Sequence, residues 1–146
     1  MRDFNNYLKK YLDELSKSII NSNKKQLEKA INLIVKKIKN NNTIFVCGNG
    51  GSAAIANHYV CDYLKFFRDR TVYKPKIISL SSNLETITAI ANDISYDQIF
   101  KYQAESLSKK NDLIIIISSS GNSKNIIELL KFAKKKNFFS IGFLGF

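Results

Sequence analysis

Hydrophobic positions recur at two different periods along the chain, and they divide it into a helical head and an alternating body. In the first 40 residues, apolar side chains repeat at steps of three and four, which is the pattern of amphipathic helices. One stripe runs from Phe4 to Ile19 and a second from Leu27 to Ile38. Turn-forming residues at 21–23 separate them, and asparagines at 40–42 end the second. We predict a helical hairpin over residues 1–42 that drives oligomer formation.

After residue 42 the pattern changes to short continuous apolar runs, which are typical of strands buried on both faces. These runs lie at 43–47, 76–80, 113–117 and 138–143. Helical patterns fall between them, at 52–67, 84–91, 96–107 and 123–135. Alternating strands and helices imply crossovers onto a parallel sheet. We therefore predict one α/β domain over 1–146, whose body at 43–146 is a doubly wound parallel sheet with ligands at the carboxyl ends of its strands.

The composition is that of a globular domain and agrees with the predicted α/β class. The 146 residues are 45% hydrophobic and 24% charged, close to the globular average. A net charge of +11 would suit nucleic acid, but the basic residues are dispersed along the chain, so we do not expect that partner. No apolar run is long enough to cross a membrane, and no signal peptide pattern is present. We expect a cytoplasmic protein with Cys47 and Cys61 buried.

The first strand runs into the glycine loop, GNGGSA at 48–53. Glycines let a backbone approach a ligand closely, Ser52 can cap the next helix, and the exposed amides at that helix start favour anionic or polyhydroxy groups. The segment also fits a relaxed dinucleotide pattern. That function requires an acidic residue after the second strand, and none is present, so no nucleotide cofactor is expected. A merely structural turn is the remaining alternative.

The third strand runs into the serine loop, SSSGNS at 118–123, and a helical pattern follows. Hydroxyls and a glycine at a helix start are typical of a phosphate site, because side-chain donors and backbone amides meet where the helix dipole is positive. The frame of a nucleoside triphosphate loop is absent. The alternative is a serine-rich loop in which Ser120 or Ser123 caps the helix. The position at the expected binding edge favours phosphate.

His58, the one histidine of the sequence, lies four residues before Asp62 on the predicted first body helix, so both share one face. The pair is either a buried histidine held by its neighbour or an acid–base or metal-ligand pair converging on a ligand above the helix start. Farther along, Asn92 and Asp93 interrupt an apolar segment. They are either a helix cap or a further polar element of a site.

The motifs of this chain, in their order, resemble those of the phosphoheptose isomerases. They are GNGGSA, His58 with an acid at +4, AIAND at 89–93 and ISSSGNS at 117–123. That family of sugar isomerase (SIS) domains has a flavodoxin-like sheet and converts sedoheptulose 7-phosphate to a manno-heptose 7-phosphate. The resemblance covers the whole chain. It implies an isomerase of heptose biosynthesis, within carbohydrate metabolism, that acts as a homotetramer with active sites at subunit interfaces.

The resemblance also implies roles for individual residues. Substrate contacts fall on Asn49, Gly50, Gly51, Ser52, Asn92 and Asp93, and the phosphate site on Ser118, Ser119, Ser120 and Ser123. His58 becomes a zinc ligand, and Asp62 with His58 forms the metal-binding and catalytic pair, Asp62 being the general base for aldose–ketose isomerisation.

Two departures from the family pattern bear on activity. The family has Glu where this chain has Asp62, which shortens the arm of the base. The family also continues past this chain with a strand and helices that carry a Gln and a His, the His being a partner acid or base and a metal ligand. The alternative function is therefore a non-catalytic sugar-phosphate-binding or regulatory SIS module.

Overall fold

The computed structural model describes residues 3–145, and its sheet has the parallel arrangement that the apolar runs predict. Four strands, β1 (Thr43–Gly48), β2 (Lys76–Ser79), β3 (Leu113–Ser118) and β4 (Phe139–Leu144), lie in the order β2-β1-β3-β4. Every neighbouring pair is parallel. The predicted α/β class is confirmed. The outer limits of the predicted domain, residues 1 and 146, lie outside the described residues.

Helices connect the strands much as the sequence predicts. They are α1 (Phe4–Ile20), α2 (Lys24–Lys39), α3 (Gly51–Asp62), α4 (Arg68–Arg70), α5 (Leu84–Asp93), α6 (Ile99–Leu107) and α7 (Lys124–Lys135). A π-helical turn at Tyr63–Phe67 joins α3 to α4, and a 3₁₀ turn at Tyr96–Gln98 leads into α6. The predicted single helix over 52–67 therefore changes its hydrogen-bonding pattern after Asp62.

The two central strands, β1 and β3, are covered on both faces, which is the double winding that the alternation of elements predicts. The edge strand β4 is mostly exposed, so the prediction that its run is buried on both faces is wrong. Adjacent side chains of β1 point to opposite sides, so Phe45 lies in one apolar cluster and Val46 in the other. The cluster around Phe45 is completed by residues of α5, α6 and α7. The cluster around Val46 is completed by Ile34, Ile38 and Ala56, which come from the end of α2 and from α3.

The two cysteines lie in different environments. Cys47 is fully buried in β1, and burial raises the pKa of its thiol to about 12. Cys61 is exposed near the end of α3. The prediction that both are buried is wrong for Cys61, because α3 has only one side against the sheet.

Polar residues cap the amino-terminal helices, and the positions at 21–23 and 40–42 were predicted, whereas the cap at Asp3 was not. The Asp3 side chain accepts a hydrogen bond from the Asn6 backbone N–H, and that of Asn23 accepts one from Gln26 N–H. Asn41 has the positive φ of 57° that suits a helix end. None of the residues in α1 is buried. Between residues 3 and 145, no helix is both long and apolar enough to cross a membrane.

The compact units of the structure divide inside α2 and not at the predicted boundary of 42 and 43. One unit extends to Asn32, and the other begins at Leu33 and includes the whole sheet. The reason is that Ile34 and Ile38 enter the apolar core beside β1. The second half of α2 therefore belongs to the α/β body, and the oligomerising role of the hairpin stays a prediction.

Candidate active site

The glycine loop and the serine loop lie side by side at the carboxyl edge of the sheet. β1 and β3 are neighbours, and Gly48 at the end of β1 is level with Ile117 near the end of β3. The helix after β1 packs on one face of the sheet and the helix after β3 on the other. Such a reversal opens a crevice between the two strand ends, which is where ligands bind in doubly wound sheets.

Backbone geometry explains the glycines of the first loop. A Cβ on Gly48 would lie 2.7 Å from three atoms of Ser52, so a side chain does not fit there. Gly50 has φ 53° and ψ −123°, a conformation that favours glycine. Gly50 is also the residue immediately before α3, so no side chain caps the start of this helix. The predicted cap by Ser52 is wrong, because α3 starts at Gly51 and Ser52 already lies in its first turn.

The serine loop folds back on itself through its own hydroxyls. Ser118 Oγ accepts a hydrogen bond from the Gly121 backbone N–H at 3.1 Å, and Ser120 Oγ accepts one from Asn122 N–H at 3.3 Å. Ser123 stands immediately before α7, but its side chain makes no cap hydrogen bond. The first backbone N–H groups of a helix have no backbone acceptor within the helix. In α7 the Ile126 N–H is taken by the side-chain oxygen of Asn125. The N–H groups of Lys124 and Asn125 remain available to an anion, as does the positive end of the α7 dipole.

An amide pair that was not predicted joins the glycine loop to the first turn of α7, directly after the serine loop. Asn49 Nδ2 donates to Asn125 Oδ1, and Asn125 Nδ2 donates to Asn49 Oδ1, both at 2.9 Å. The hydroxyl of Tyr96 donates to Asn49 Oδ1 at 3.0 Å. Asn125 is 1% exposed. Asn49 was a predicted site residue, whereas Asn125 and Tyr96 were missed because their partners are distant in sequence.

Ser81 is another residue that the sequence analysis missed. Its Oγ accepts from the Gly48 N–H at 3.1 Å and donates to the Gly48 carbonyl oxygen at 2.8 Å. Ser81 therefore supports the end of β1 on the side of β2, whose pairing with β1 stops at Ser79. The sequence could have indicated Ser81, because it follows β2 at the carboxyl edge of the sheet, where ligands are expected. A cavity of about 90 Å³ lies beside it, lined by Asn49, Tyr96 and Phe100 among others.

His58 and Asp62 are solvent-accessible, so the buried-histidine alternative is wrong. Their side chains are 73% and 46% exposed, and His58 Nε2 lies 3.5 Å from Asp62 Oδ1. At about 1.5 Å per residue, α3 carries Asp62 roughly 16 Å along its axis from Gly51. The pair therefore does not converge above the helix start within one chain.

The same pair provides a test of whether the residues present fit a zinc ion. Catalytic zinc sites use three protein ligands and one open position. His58 and Asp62 supply two donors, and within residues 3–145 no group of three His, Cys, Asp or Glu side chains is suitably placed. These residues do not fit a complete zinc site by themselves.

Asn92 and Asp93 are the last two residues of α5, both exposed. Asn92 Nδ2 donates to Asp93 Oδ1 at 2.8 Å. The segment that follows leads directly to Tyr96, which contacts Asn49. The structure thus links this third polar segment to the glycine loop, and the role of Asn92 and Asp93 as substrate contacts stays a prediction.

Comparison with protein families gives one match that spans most of the chain. The SIS domain family matches residues 6–145. The probable phosphoheptose isomerase of Thermoplasma acidophilum is 43% identical over 139 residues, which are 94% of this chain and 75% of that protein. The phosphoheptose isomerase of Aliarcobacter butzleri is 41% identical over 127 residues, covering 87% of this chain and 67% of that protein.

Solved structures give the same result at the level of the fold. A phosphoheptose isomerase from Francisella tularensis superposes with a TM-score of 0.87 at 26% identity. The match covers 99% of this chain and 76% of that one. The similarity of fold therefore extends over nearly the whole of this chain.

Proposed function

Because the chain belongs to the phosphoheptose isomerase family of SIS domain proteins, we propose that it isomerises a sugar phosphate between its ketose and aldose forms. Sedoheptulose 7-phosphate is the proposed substrate, and heptose synthesis in the cytoplasm is the proposed setting. The observation that carries the proposal is the crevice between β1 and β3, where a glycine loop and a serine loop meet.

The serine loop is the proposed phosphate site. Ser118 and Ser120 accept backbone N–H groups through their Oγ atoms, which leaves each hydroxyl proton free to be donated to a phosphate oxygen. Ser119 and Ser123 complete the set of hydroxyls around the start of α7. Hydrogen bonds to a charged acceptor are about twice as strong as neutral ones, so this loop supplies much of the binding energy.

Isomerisation needs a base that takes a proton from C1 or C2 of the sugar and returns it to the other carbon through an enediolate. Asp62 is the proposed base, with His58 beside it. The length of α3 separates Asp62 from the loops of its own chain. We therefore propose that Asp62 of one subunit serves the loops of another, in an oligomer of the tetrameric kind that the family resemblance implies.

Proton exchange is the direct test of this function. Sedoheptulose 7-phosphate in D₂O is followed by NMR for exchange at C1 or C2, with the wild-type chain, Asp62→Asn and the control Asp69→Asn. Asp69 lies two turns farther along and is paired with Lys65 on the surface. Loss of a general base costs about 10²–10⁴-fold in rate, so we expect exchange to fall by that factor in Asp62→Asn alone.

The other outcomes distinguish the alternatives. Binding of the sugar phosphate without exchange by the wild-type chain would replace the isomerase with a binding or regulatory module. Exchange that is equal in Asp62→Asn and wild type would show that another group is the base.

A further inference from the structure

The geometry points to Asn125 and Tyr96 as positioning residues that hold the side-chain amide of Asn49, so that one of its N–H groups is presented to an oxygen of the ligand. Asn125 and Tyr96 belong neither to the serine hydroxyls proposed to bind phosphate nor to the acid–base pair of His58 and Asp62. The inference rests on the proposed function, because it concerns how the same crevice recognises a sugar phosphate.

Asn49 is the point at which the three polar segments of the site are connected. It follows β1 in the glycine loop, and its partner Asn125 lies 76 residues away in the first turn of α7, directly after the serine loop. Tyr96 comes from the turn after Asn92 and Asp93. Two amide–amide hydrogen bonds and one hydroxyl hydrogen bond therefore fix the segments relative to one another.

The orientation of the Asn49 amide is determined by the backbone of α7. The Ile126 backbone N–H donates to Asn125 Oδ1 at 2.9 Å, so this oxygen cannot exchange places with the Asn125 nitrogen without losing that bond. With Asn125 oriented, its Nδ2 must face the Asn49 oxygen and its Oδ1 the Asn49 nitrogen. The Tyr96 hydroxyl then completes the pair of donors to Asn49 Oδ1.

Counting donors and acceptors shows what Asn49 can offer a ligand. An amide oxygen has two lone pairs and an amide nitrogen two N–H groups. Asn125 and Tyr96 occupy both lone pairs of Asn49 Oδ1, and Asn125 Oδ1 takes one N–H of Nδ2. The second N–H has no acceptor within residues 3–145. Asn49 is thus a donor only, and it selects a ligand atom that accepts, such as a carbonyl or hydroxyl oxygen of the sugar.

The test uses Tyr96→Phe, with Tyr102→Phe as its matched control. Both tyrosines are about half exposed, at 54% and 49%, but only the Tyr96 hydroxyl contacts Asn49. Side-chain amide signals of Asn49 are recorded by NMR without ligand. Dissociation constants are then measured for sedoheptulose 7-phosphate by calorimetry and for inorganic phosphate by NMR titration. Asn125→Ala is the second variant, with circular dichroism as the measure of folding.

We expect Tyr96→Phe to shift both Asn49 Nδ2 proton signals and to raise the Kd of the sugar phosphate about fivefold, the factor that corresponds to one hydrogen bond. The Kd of inorganic phosphate should not change, because the serine loop alone would hold it. Asn125→Ala should raise the sugar phosphate Kd at least tenfold. Tyr102→Phe should match the wild type in every measurement.

Two outcomes would overturn the inference. Unchanged Asn49 signals in Tyr96→Phe would show that Tyr96 does not hold the amide. Equal loss of affinity for sugar phosphate and inorganic phosphate would show a general disturbance of the crevice. A wild-type chain that binds neither ligand would instead overturn the proposed function, and the Asn49 signals of the free protein would still report on the positioning contact.

Discussion

At the scale of single residues, the glycine loop shows how two glycines serve different physical needs. Gly48 is required because Ser52 fills the space that a side chain would occupy, and Gly50 because its backbone has a positive φ. Gly51 meets neither condition, since a Cβ there would have no atom within 4 Å. The glycines of the family motif therefore differ in how well they tolerate substitution, although the residue type is the same.

Stability measurements on alanine variants test this difference. We expect Gly48→Ala to lower the free energy of unfolding by about 1–3 kcal/mol, the cost of forcing extra atoms into a packed region. Gly51→Ala lies in the first turn of α3, where alanine is favoured by about 0.5–1 kcal/mol over glycine. Urea denaturation of both variants measures the contrast, and equal stabilities would contradict the packing argument.

The serine loop gives the second residue-scale prediction. Replacing Ser120 and Ser123 together by alanine should weaken sugar phosphate binding by about 2–4 kcal/mol, since each hydrogen bond to a charged group contributes roughly 1–2 kcal/mol. Ser106→Ala is the control, because the Ser106 hydroxyl bonds to the Tyr102 carbonyl on the surface of α6. Calorimetry is the measurement, and unchanged affinity in the double variant would rule out the phosphate assignment.

At the scale of elements, Lys37 ties the end of α2 to the edge of the sheet. It is 4% exposed, its Nζ donates to the Asn111 carbonyl oxygen at 2.5 Å, and it lies 4.1 Å from the centre of the Phe139 ring in β4. Burial lowers the pKa of this ammonium group, Lys36 lowers it further, and Asp112 acts in the opposite direction. The Asn111 carbonyl and the Phe139 ring therefore stabilise the charged Lys37 ammonium group at a buried position that disfavours its charge.

This environment predicts a pH dependence of stability. Between the lowered pKa and the ordinary value of 10.5, the unfolded chain binds a proton at Lys37 that the folded chain has released. Stability therefore rises with pH across that window. We expect the wild-type free energy of unfolding to increase relative to Lys37→Met as the pH is raised towards 10.5. Urea denaturation at a series of pH values is the measurement.

The control for this series is Lys135→Met, at an exposed position in α7. Its stability should follow the wild type at every pH. A constant difference between the wild type and Lys37→Met across the series would contradict the assignment of the titration to Lys37.

Elements were predicted well where local pattern determines them. The short apolar runs place each strand within about a residue of its observed bounds. Burial on both faces was predicted correctly for β1 and β3 but not for β4, which lies at the edge of the sheet and is mostly exposed. The π-helical turn at Tyr63–Phe67 was not predicted, because Tyr59, Tyr63 and Phe67 stack at the same i, i+4 spacing that a regular helix shows. Contacts such as Asn49 with Asn125 depend on strand order, which no local pattern contains.

At the scale of the whole molecule, the exposed apolar side chains of α1 point to association. Leu8, Leu12 and Leu15 lie on one face and are 39–57% exposed. We expect light scattering to show a dimer or larger species. Leu12→Glu should dissociate it, whereas Asn6→Glu on the opposite face should not. A monomeric wild-type chain at micromolar concentration would contradict this prediction.

Subunit mixing tests whether sites are shared between chains. Asp62→Asn and the Ser120→Ala/Ser123→Ala variant should each have strongly reduced activity alone. Mixed oligomers should regain part of the wild-type activity, because an intact serine loop from one chain meets an intact Asp62 from the other. The control is a mixture made without dissociating the parent oligomers. No recovery in properly mixed oligomers would mean that each chain uses its own Asp62.

The strand order β2-β1-β3-β4 also has a consequence for how the chain reaches this state. β1 lies in the interior of the sheet, yet its neighbours come later in the chain, and Ile44 pairs with Leu113 across a long intervening segment. Closing such a loop costs entropy before any pairing compensates for it. On the ribosome, β1 must remain unpaired on one side until residues beyond β3 have emerged. Its unpaired backbone edge and its apolar side chains are then exposed on the nascent chain, where they favour aggregation.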